Sequence, residues 1–306
     1  MYRPSGGNVI VFHLLSPKRL SLIGIAFLLI TSFVTTPAQT EPGRLYKFHL
    51  QNAPFPDEGR INGYNGLPYS GHYDDNTVAV YVPPGYKVNQ SVDFVFYFHG
   101  WYNNVDGVLR DFKMLEQFLE ARKNAILVIP EGPKNAADSY YGKLEKENGF
   151  LNLLEEIMDS LKGRKEIEET IPGKIVIACH SGGVRVLSKI LLFGGITHQI
   201  RDVYLFDATY GYIDEYLDWL MTFEGKLISI WTEGSGTREG TMRMLQRLET
   251  GNIPHLNIEE AALQKDDLIY NRIIVIKTPL AHSDLVFLTG NFTKFLKTRM
   301  LDLFEF

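Results

Sequence analysis

The sequence contains little cysteine: Cys179 is the single one among 306 residues. One cysteine excludes a disulfide within the chain, yet it remains compatible with an oxidising compartment, because it has no partner with which to pair wrongly. The chain also lacks an excess of positive charge, since its formal net charge at pH 7 is −5. We therefore expect no nucleic-acid partner.

Other recognisable patterns are absent as well. The sequence shows no cluster of His, Cys, Asp and Glu at metal-ligand spacing and no glycine-rich phosphate loop, so we predict neither a metal nor a cofactor. It has no internal repeat and no low-complexity tract. What remains is an ordinary globular composition, with 45% apolar and 22% charged residues, in a chain long enough for one sizeable core.

A long apolar run, residues 20–34, lies near the N-terminus and follows two basic residues, Lys18 and Arg19. Small residues come next and end at Ala38, a pattern typical of a secretory signal peptide cleaved after that residue. The run is short for a membrane span, which needs about 20 apolar residues. We predict that residues 1–38 form a signal peptide and that the mature protein is periplasmic or extracellular, without a stable membrane span. The alternative is an anchor that stays uncleaved.

Residues 39–306 are predicted to form a single domain. Strands are predicted at 78–82, 94–98, 125–129, 174–178, 203–206, 227–231 and 273–276. Helices are predicted at 109–119, 150–161, 184–192, 212–221, 242–248 and 291–304. Strands that are apolar along their whole length are buried on both faces, which predicts an α/β fold whose mostly parallel central sheet carries helices on each side.

Two segments are not explained by this alternation. Residues 39–75 are rich in Gly, Pro, Asn and Asp, which predicts a surface segment with short strands at most. The polar stretch 131–148 is too long for a bare connector, so we predict that it forms part of a substrate rim.

The strongest chemical signal is the segment Cys179-His180-Ser181-Gly182-Gly183, between a predicted strand and a predicted helix. A serine on such a sharp turn is lifted clear of its neighbours, and the helix N-terminus points at a developing oxyanion. The turn requires small residues two positions before and after the serine. Gly183 meets this requirement, whereas Cys179 departs from the G-x-S-x-G pattern but is still small. Ser181 is therefore predicted to be a nucleophile.

The chain resembles the α/β-hydrolase superfamily, in particular its secreted esterase-like and lipase-like members, from about residue 78 to the C-terminus. The segments that carry the resemblance are His99-Gly100 after a strand, the turn around Ser181, Asp207 after the next strand and His282 after the last. The order serine, acid, histidine is the order of that superfamily.

A serine hydroxyl needs a base within hydrogen-bond reach, and the base needs an acceptor that holds its tautomer. The resemblance implies that His282, in the loop after the last strand, is the base. Two residues compete for the acid: most members of the superfamily take it from after the later strand, which favours Glu233, and some lipases from after the earlier one, which favours Asp207. We prefer Asp207, because an aspartate at the end of an apolar strand is costly to bury without a partner. Glu233 remains the alternative.

Acyl transfer also needs two backbone N–H groups that hold the oxyanion. The amide of Gly182, directly after the nucleophile, is predicted to be one. The other is predicted to come from the loop after His99-Gly100, from Trp101 or from Tyr102, because Gly100 lets the chain turn so that the next amide faces the substrate.

Taken together, these residues predict a serine hydrolase that cleaves a small-molecule or polymer ester through an acyl-serine intermediate. A peptidase, an amidase or a carbohydrate deacetylase fits the same triad. From a different class, a catalytically silent binding protein with the same fold also fits.

Overall fold

A computed structural model of the chain describes residues 43–168, 171–298 and 301. The predicted signal peptide therefore lies outside the described residues. In the described part, one nine-stranded sheet has the order β1-β2-β4-β3-β5-β6-β7-β9-β8. Its strands are β1 (Arg44–His49), β2 (Thr77–Val82), β3 (Ser91–Phe98), β4 (Ile126–Pro130), β5 (Ile171–His180), β6 (Ile200–Phe206), β7 (Lys226–Thr232), β8 (Leu256–Glu259) and β9 (Ile273–Thr278).

Helices connect most of the strands. They are α1 (Val105–Asp111), α2 (Met114–Ala121), α3 (Gly149–Gly163), α4 (Val184–Phe193), α5 (Ile213–Thr222), α6 (Arg238–Thr250), α7 (Lys265–Tyr270), α8 (Asp284–Phe287) and α9 (Asn291–Lys297). Of the helices in the described ranges, none is both long enough and apolar enough to cross a bilayer.

The sheet is antiparallel only at one side, where β2 pairs with β1 and with β4. The strands from β4 and β3 through β5, β6, β7 and β9 to β8 pair in parallel. Parallel strands bring their carboxyl ends to the same edge, so the loops after β3, β5, β6 and β9 meet there. That edge carries the predicted site residues.

Two apolar cores cover the two faces of the sheet. Along β3, Phe94, Phe96 and Phe98 belong to one core, and Val95 and Tyr97 belong to the other. This alternation follows from the two-residue period of a strand. Helices α3 to α6 supply side chains to the first core, and α1, α2, α8 and α9 supply them to the second. Because the central strands are buried on both sides, the sheet holds the loops at its carboxyl edge on a rigid base.

The predicted fold class is confirmed, and each predicted strand is present within a residue or a few of its predicted bounds. The sequence patterns missed β8 and α7, which are short and only partly buried, whereas β1 is a short strand within the segment 39–75, where short strands at most were predicted. The predicted helix 109–119 is wrong as a single helix, because the backbone turns left-handed at Lys113 (φ 49°) between α1 and α2. The helix predicted at 291–304 is present as α9, which ends at Lys297; residues 299, 300 and 302–304 of that prediction lie outside the described residues.

Candidate active site

Ser181 lies at a sharp turn between β5 and α4. The strand ends at His180, one 3-10 turn covers Ser181–Gly183, and α4 begins at Val184. The backbone of Ser181 is left-handed, with φ 55°. Such a conformation costs a non-glycine residue about 1–3 kcal/mol and persists only where the surroundings enforce it. The strand-turn-helix arrangement predicted for Ser181 is thus present.

Close packing around the turn explains why it needs small residues. A β-carbon added to Gly183 would lie 2.7 Å from Phe98 O and 3.2 Å from Cys179 Cβ. Cys179 itself is fully buried and points into the first apolar core. A cysteine is therefore accommodated where glycine is usual, because its side chain fills core space and leaves the turn free.

Gly100, in the loop after β3, touches the serine directly. A β-carbon at Gly100 would lie 2.6 Å from Ser181 Cβ and 3.2 Å from Ser181 Oγ. Any other residue at this position would displace the Ser181 side chain or the loop. The glycine of the His99-Gly100 pair thus allows the two loops to approach closely.

Asp207 follows β6 and contacts the ring of His282. Its Oδ2 lies 2.6 Å from His282 Nδ1, and its carboxylate is fully buried. The other carboxylate oxygen accepts hydrogen bonds from the hydroxyls of Ser235 and Thr237. Burial raises the pKa of Asp207, but the hydrogen bonds from His282, Thr237 and Ser235 outweigh it and leave the pKa below its ordinary value. Asp207 is therefore ionised at neutral pH and can fix the tautomer of His282.

The structure does not bring Glu233 to His282. Glu233 follows β7 and is exposed, and its carboxylate pairs with Arg238 at 3.0 Å and with Lys277 at 2.6 Å. Those two cations lower its pKa. Of the two candidate acids, Asp207 is the one whose carboxylate meets the His282 ring.

His180 holds the loop that carries His282. Its Nε2 lies 2.9 Å from His282 O, and the two ring centroids are 4.5 Å apart. Burial, followed by the nearby charge of His282, lowers the pKa of His180 to about 4. A neutral His180 protonated at Nε2 donates to that carbonyl, so this histidine positions the loop of the predicted base.

Among the described residues, the ring of His282 forms no hydrogen bond with the hydroxyl of Ser181. Within the described part of the chain, the contact with Asp207 is the one hydrogen bond of the His282 ring. The Ser181 side chain instead interacts with Tyr210: burial raises the pKa of this phenol, and hydrogen bonding to Ser181 opposes the rise. Hydrogen bonds between nucleophile and base are often long in unliganded enzymes and tighten when substrate binds.

The loop after β3 carries both candidates for the second oxyanion donor, the amides of Trp101 and Tyr102, and their hydrogen bonding distinguishes them. The amide of Tyr102 donates to Ala136 O at 2.9 Å, so it does not face the site. Among the described residues, the amide of Trp101 has no acceptor. His99 Nδ1 lies 2.8 Å from Gly100 O. Because a trans peptide directs its N–H opposite to its C=O, this contact turns the Trp101 N–H away from His99.

His99 had no role in the sequence interpretation beyond marking the motif. Its ring is fully buried, its Nε2 lies 3.0 Å from Glu131 Oε1, and its carbonyl accepts the Tyr141 hydroxyl at 2.7 Å. Tyr141 is thus a core residue, whereas the sequence placed it at a substrate rim. The sequence did hold a signal for the buried His99–Glu131 pair. Glu131 directly follows the apolar strand β4, and this position indicates that its carboxylate is buried.

A cavity of about 310 Å³ opens beside Ser181. Its lining combines the predicted nucleophile and the residues of both predicted oxyanion donors with aromatic and polar side chains: Trp101, Ser139, Ser181, Gly182, Val184, Arg185, Tyr210 and Tyr212. Ser139 belongs to the 131–148 stretch that was predicted to form a rim. In the described residues, no group of three or more His, Cys, Asp or Glu side chains is arranged to hold a metal ion.

No protein-family model matches the chain, and no curated protein matches it by sequence. Solved structures do match. A serine-to-alanine mutant of the feruloyl esterase module from Clostridium thermocellum, complexed with sinapinate, is 10% identical with a TM-score of 0.51, over 84% of this chain and 88% of that one. S-formylglutathione hydrolase from Staphylococcus aureus is 11% identical with a TM-score of 0.50, over 84% and 96%.

A ferulic acid esterase gives a TM-score of 0.51 at 9% identity, over 83% of this chain and 99% of that one. Identities this low show the fold and leave the activity open. The chain has the α/β-hydrolase fold, as its resemblance to that superfamily implied.

Proposed function

We propose that this protein is a serine hydrolase that cleaves a carboxylic ester through an acyl-serine intermediate. The observation that carries the proposal is the buried Asp207 carboxylate on Nδ1 of His282, at the same edge of the sheet as a serine held in a left-handed strand-to-helix turn. An ionised aspartate on Nδ1 leaves Nε2 of the histidine free to accept a proton, which is what a serine nucleophile requires.

The reaction proceeds in two steps. Ser181 Oγ attacks the ester carbonyl carbon while its proton moves to His282 Nε2, and the amides of Gly182 and Trp101 hold the oxyanion. The bond to the alcohol then breaks, and the leaving alkoxide takes the proton from His282. In the second step, water gives a proton to His282 and attacks the acyl-serine. Collapse releases the acid and returns the proton to Ser181.

For the substrate, we propose an ester of an aromatic carboxylic acid, small or attached to a polymer. Three aromatic side chains, Trp101, Tyr210 and Tyr212, line the cavity beside Ser181, and planar groups pack well on such faces. The feruloyl esterase module with the same fold was solved with sinapinate, an aromatic acid, which supports the same class here.

Labelling with a fluorophosphonate and hydrolysis of 4-nitrophenyl acetate test the reaction class. Wild-type protein is expected to label and to hydrolyse the ester, and Ser181→Ala is expected to do neither while unfolding at the same temperature. Ser160→Ala, in α3, where the serine hydroxyl donates to Glu156 O, is the matched control and keeps both activities. Labelling that persists in Ser181→Ala would contradict the proposed nucleophile, and a wild type that never labels would indicate a silent binding protein.

The aromatic preference is tested separately, by comparing kcat/KM for methyl esters of a hydroxycinnamic acid and of a straight-chain acid. We expect the aromatic ester to be the better substrate by at least about tenfold, the effect of about 1.4 kcal/mol of additional transition-state binding. Equal values would remove the aromatic assignment and leave the reaction class intact. Faster cleavage of a matched anilide than of the ester would indicate a peptidase or amidase.

We also propose that the protein is exported and that residues 1–38 are removed. The basic pair before an apolar run and the small residues that end at Ala38 support this. Mass spectrometry of the protein recovered from cells that express the whole chain is expected to show Gln39 as the first residue. An intact N-terminus in the membrane fraction would indicate the uncleaved anchor.

A further inference from the structure

Ser139 lies at the site without a role in the mechanism above. It belongs to the loop after β4 and lines the same cavity as Ser181 and Gly182. A β-carbon added to Gly182 would lie 2.4 Å from Ser139 Oγ. The Ser139 hydroxyl therefore occupies the space that a side chain after the nucleophile would take, next to the backbone that supplies an oxyanion donor.

The hydrogen bonding of Ser139 leaves its proton available. Trp101 Nε1 lies 2.7 Å from Ser139 Oγ. An indole nitrogen only donates, so the serine oxygen is the acceptor in this contact and its own O–H is left to donate elsewhere. In the described part of the chain, no group accepts a hydrogen bond from that O–H. A hydroxyl that accepts one hydrogen bond also becomes a better donor of the next.

The backbone of Ser139 is held by a buried carboxylate. Asp138 is 5% exposed, and its Oδ1 accepts the amide of Ser139 at 2.7 Å and that of Tyr140 at 3.1 Å. Asp138 Oδ2 in turn accepts Arg60 Nε at 2.8 Å and the Tyr73 hydroxyl at 3.2 Å. Arg60 and Tyr73, from the segment 39–75, thus hold the loop of Ser139 in place through Asp138. A hydroxyl on a backbone that is held in this way needs little reorganisation to stabilise a developing charge.

We propose that Ser139 is a third donor to the oxyanion, through its side-chain hydroxyl, beside the amides of Gly182 and Trp101. It donates a hydrogen bond to the former carbonyl oxygen of the substrate in both tetrahedral intermediates, and no proton is transferred. Trp101 serves the site twice, with its amide toward the oxyanion and its indole N–H toward Ser139. This inference rests on the proposed ester hydrolysis and adds a catalytic residue to it.

The test is the steady-state hydrolysis of 4-nitrophenyl acetate by the wild type and four variants. Ser139→Ala is expected to lower kcat about 100-fold with KM within twofold, because an oxyanion donor acts on the transition state. Ser139→Thr keeps the hydroxyl and is expected to recover most of that loss. Trp101→Phe keeps the backbone amide but removes the indole N–H, and we expect a smaller loss, of several-fold. Ser160→Ala is the control without an effect.

The double variant Ser139→Ala with Trp101→Phe separates a shared role from two independent ones. If the indole acts through Ser139, the double variant is no slower than Ser139→Ala alone. Losses that multiply, or a Ser139→Ala protein whose kcat equals that of the wild type, would overturn the inference while ester hydrolysis stands. A wild type that neither labels nor hydrolyses would overturn both. Thermal unfolding of each variant shows whether a loss of activity comes from the fold.

Discussion

Asp207 Oδ2 lies 2.6 Å from His282 Nδ1 although 75 residues separate the two in the chain. The carboxylate is fully buried, and the imidazole is about one-third exposed. The contact joins the carboxyl end of β6 to the loop after β9, across the strand β7 that lies between them in the sheet. Because His282 contacts Asp207 and not Glu233, substitutions of these two acids are expected to differ in their effect on kcat.

The first prediction concerns this pair of acids. Asp207→Asn is expected to lower kcat for 4-nitrophenyl acetate about 10⁴-fold, because the amide stabilises the wrong tautomer of His282 while it keeps the shape of the site. Glu233→Gln is the matched control: it removes two surface ion pairs and is expected to leave kcat within twofold. The reverse pattern, with only Glu233→Gln inactive, would show that the acid is Glu233.

Much of this site follows from the topology of a parallel sheet. Ser181 and Asp207 come directly after apolar strands, His282 lies in the loop after the last one, and parallel strands end at one edge. The sequence alone therefore predicts that loops carrying these residues meet. It does not separate Asp207 from Glu233, since both follow a strand, and the difference comes from hydroxyl donors near Asp207 and surface cations near Glu233.

The features that the sequence did not predict share one physical cause. The roles of His99 and Ser139 depend on peptide orientation and on loops that are distant in sequence, and apolar periodicity carries no information on either. The break between α1 and α2 is similar: both helices face the same core, so the spacing of apolar residues stays regular through the left-handed turn at Lys113.

The second prediction is that Gly100→Ala inactivates the site. The new methyl group would lie 2.6 Å from Ser181 Cβ and 2.9 Å from His180 O, and neither atom is the end of a flexible side chain. We expect kcat/KM to fall at least about 100-fold and the free energy of unfolding to fall by about 1–3 kcal/mol. Gly163→Ala at the end of α3 meets no atom within 4 Å and serves as the control. Full activity in Gly100→Ala would show that the loop and the turn are not in contact.

The third prediction concerns the thiol of Cys179. The residue is fully buried, and burial raises its pKa well above the ordinary value, so the native protein holds no accessible thiolate. Ellman's reagent is expected to react only as fast as the chain unfolds, and to react with one thiol at once in denaturant. A Cys179→Ala protein with Asp159→Cys, at an exposed position of α3, provides the fast reference. Rapid labelling of the native wild type would contradict the burial.

The fourth prediction is a loss of stability in acid that originates at His180. Burial, with a smaller contribution from the charge of His282, lowers its folded pKa to about 4, from an ordinary value of 6.5. Between these two pH values the unfolded chain binds more protons than the folded one, so the free energy of unfolding falls as the pH falls. The fully developed effect is about 3 kcal/mol between pH 7 and pH 4.

Urea unfolding of the wild type and of His180→Gln at both pH values measures this contribution. The glutamine amide replaces the Nε2 donor to His282 O and does not titrate, and the two proteins share Asp207, His282 and every other ionisable group. The wild type is therefore expected to lose about 3 kcal/mol more than the variant on acidification. Equal losses in the two proteins would mean that His180 is protonated in the fold, with its pKa near the ordinary value.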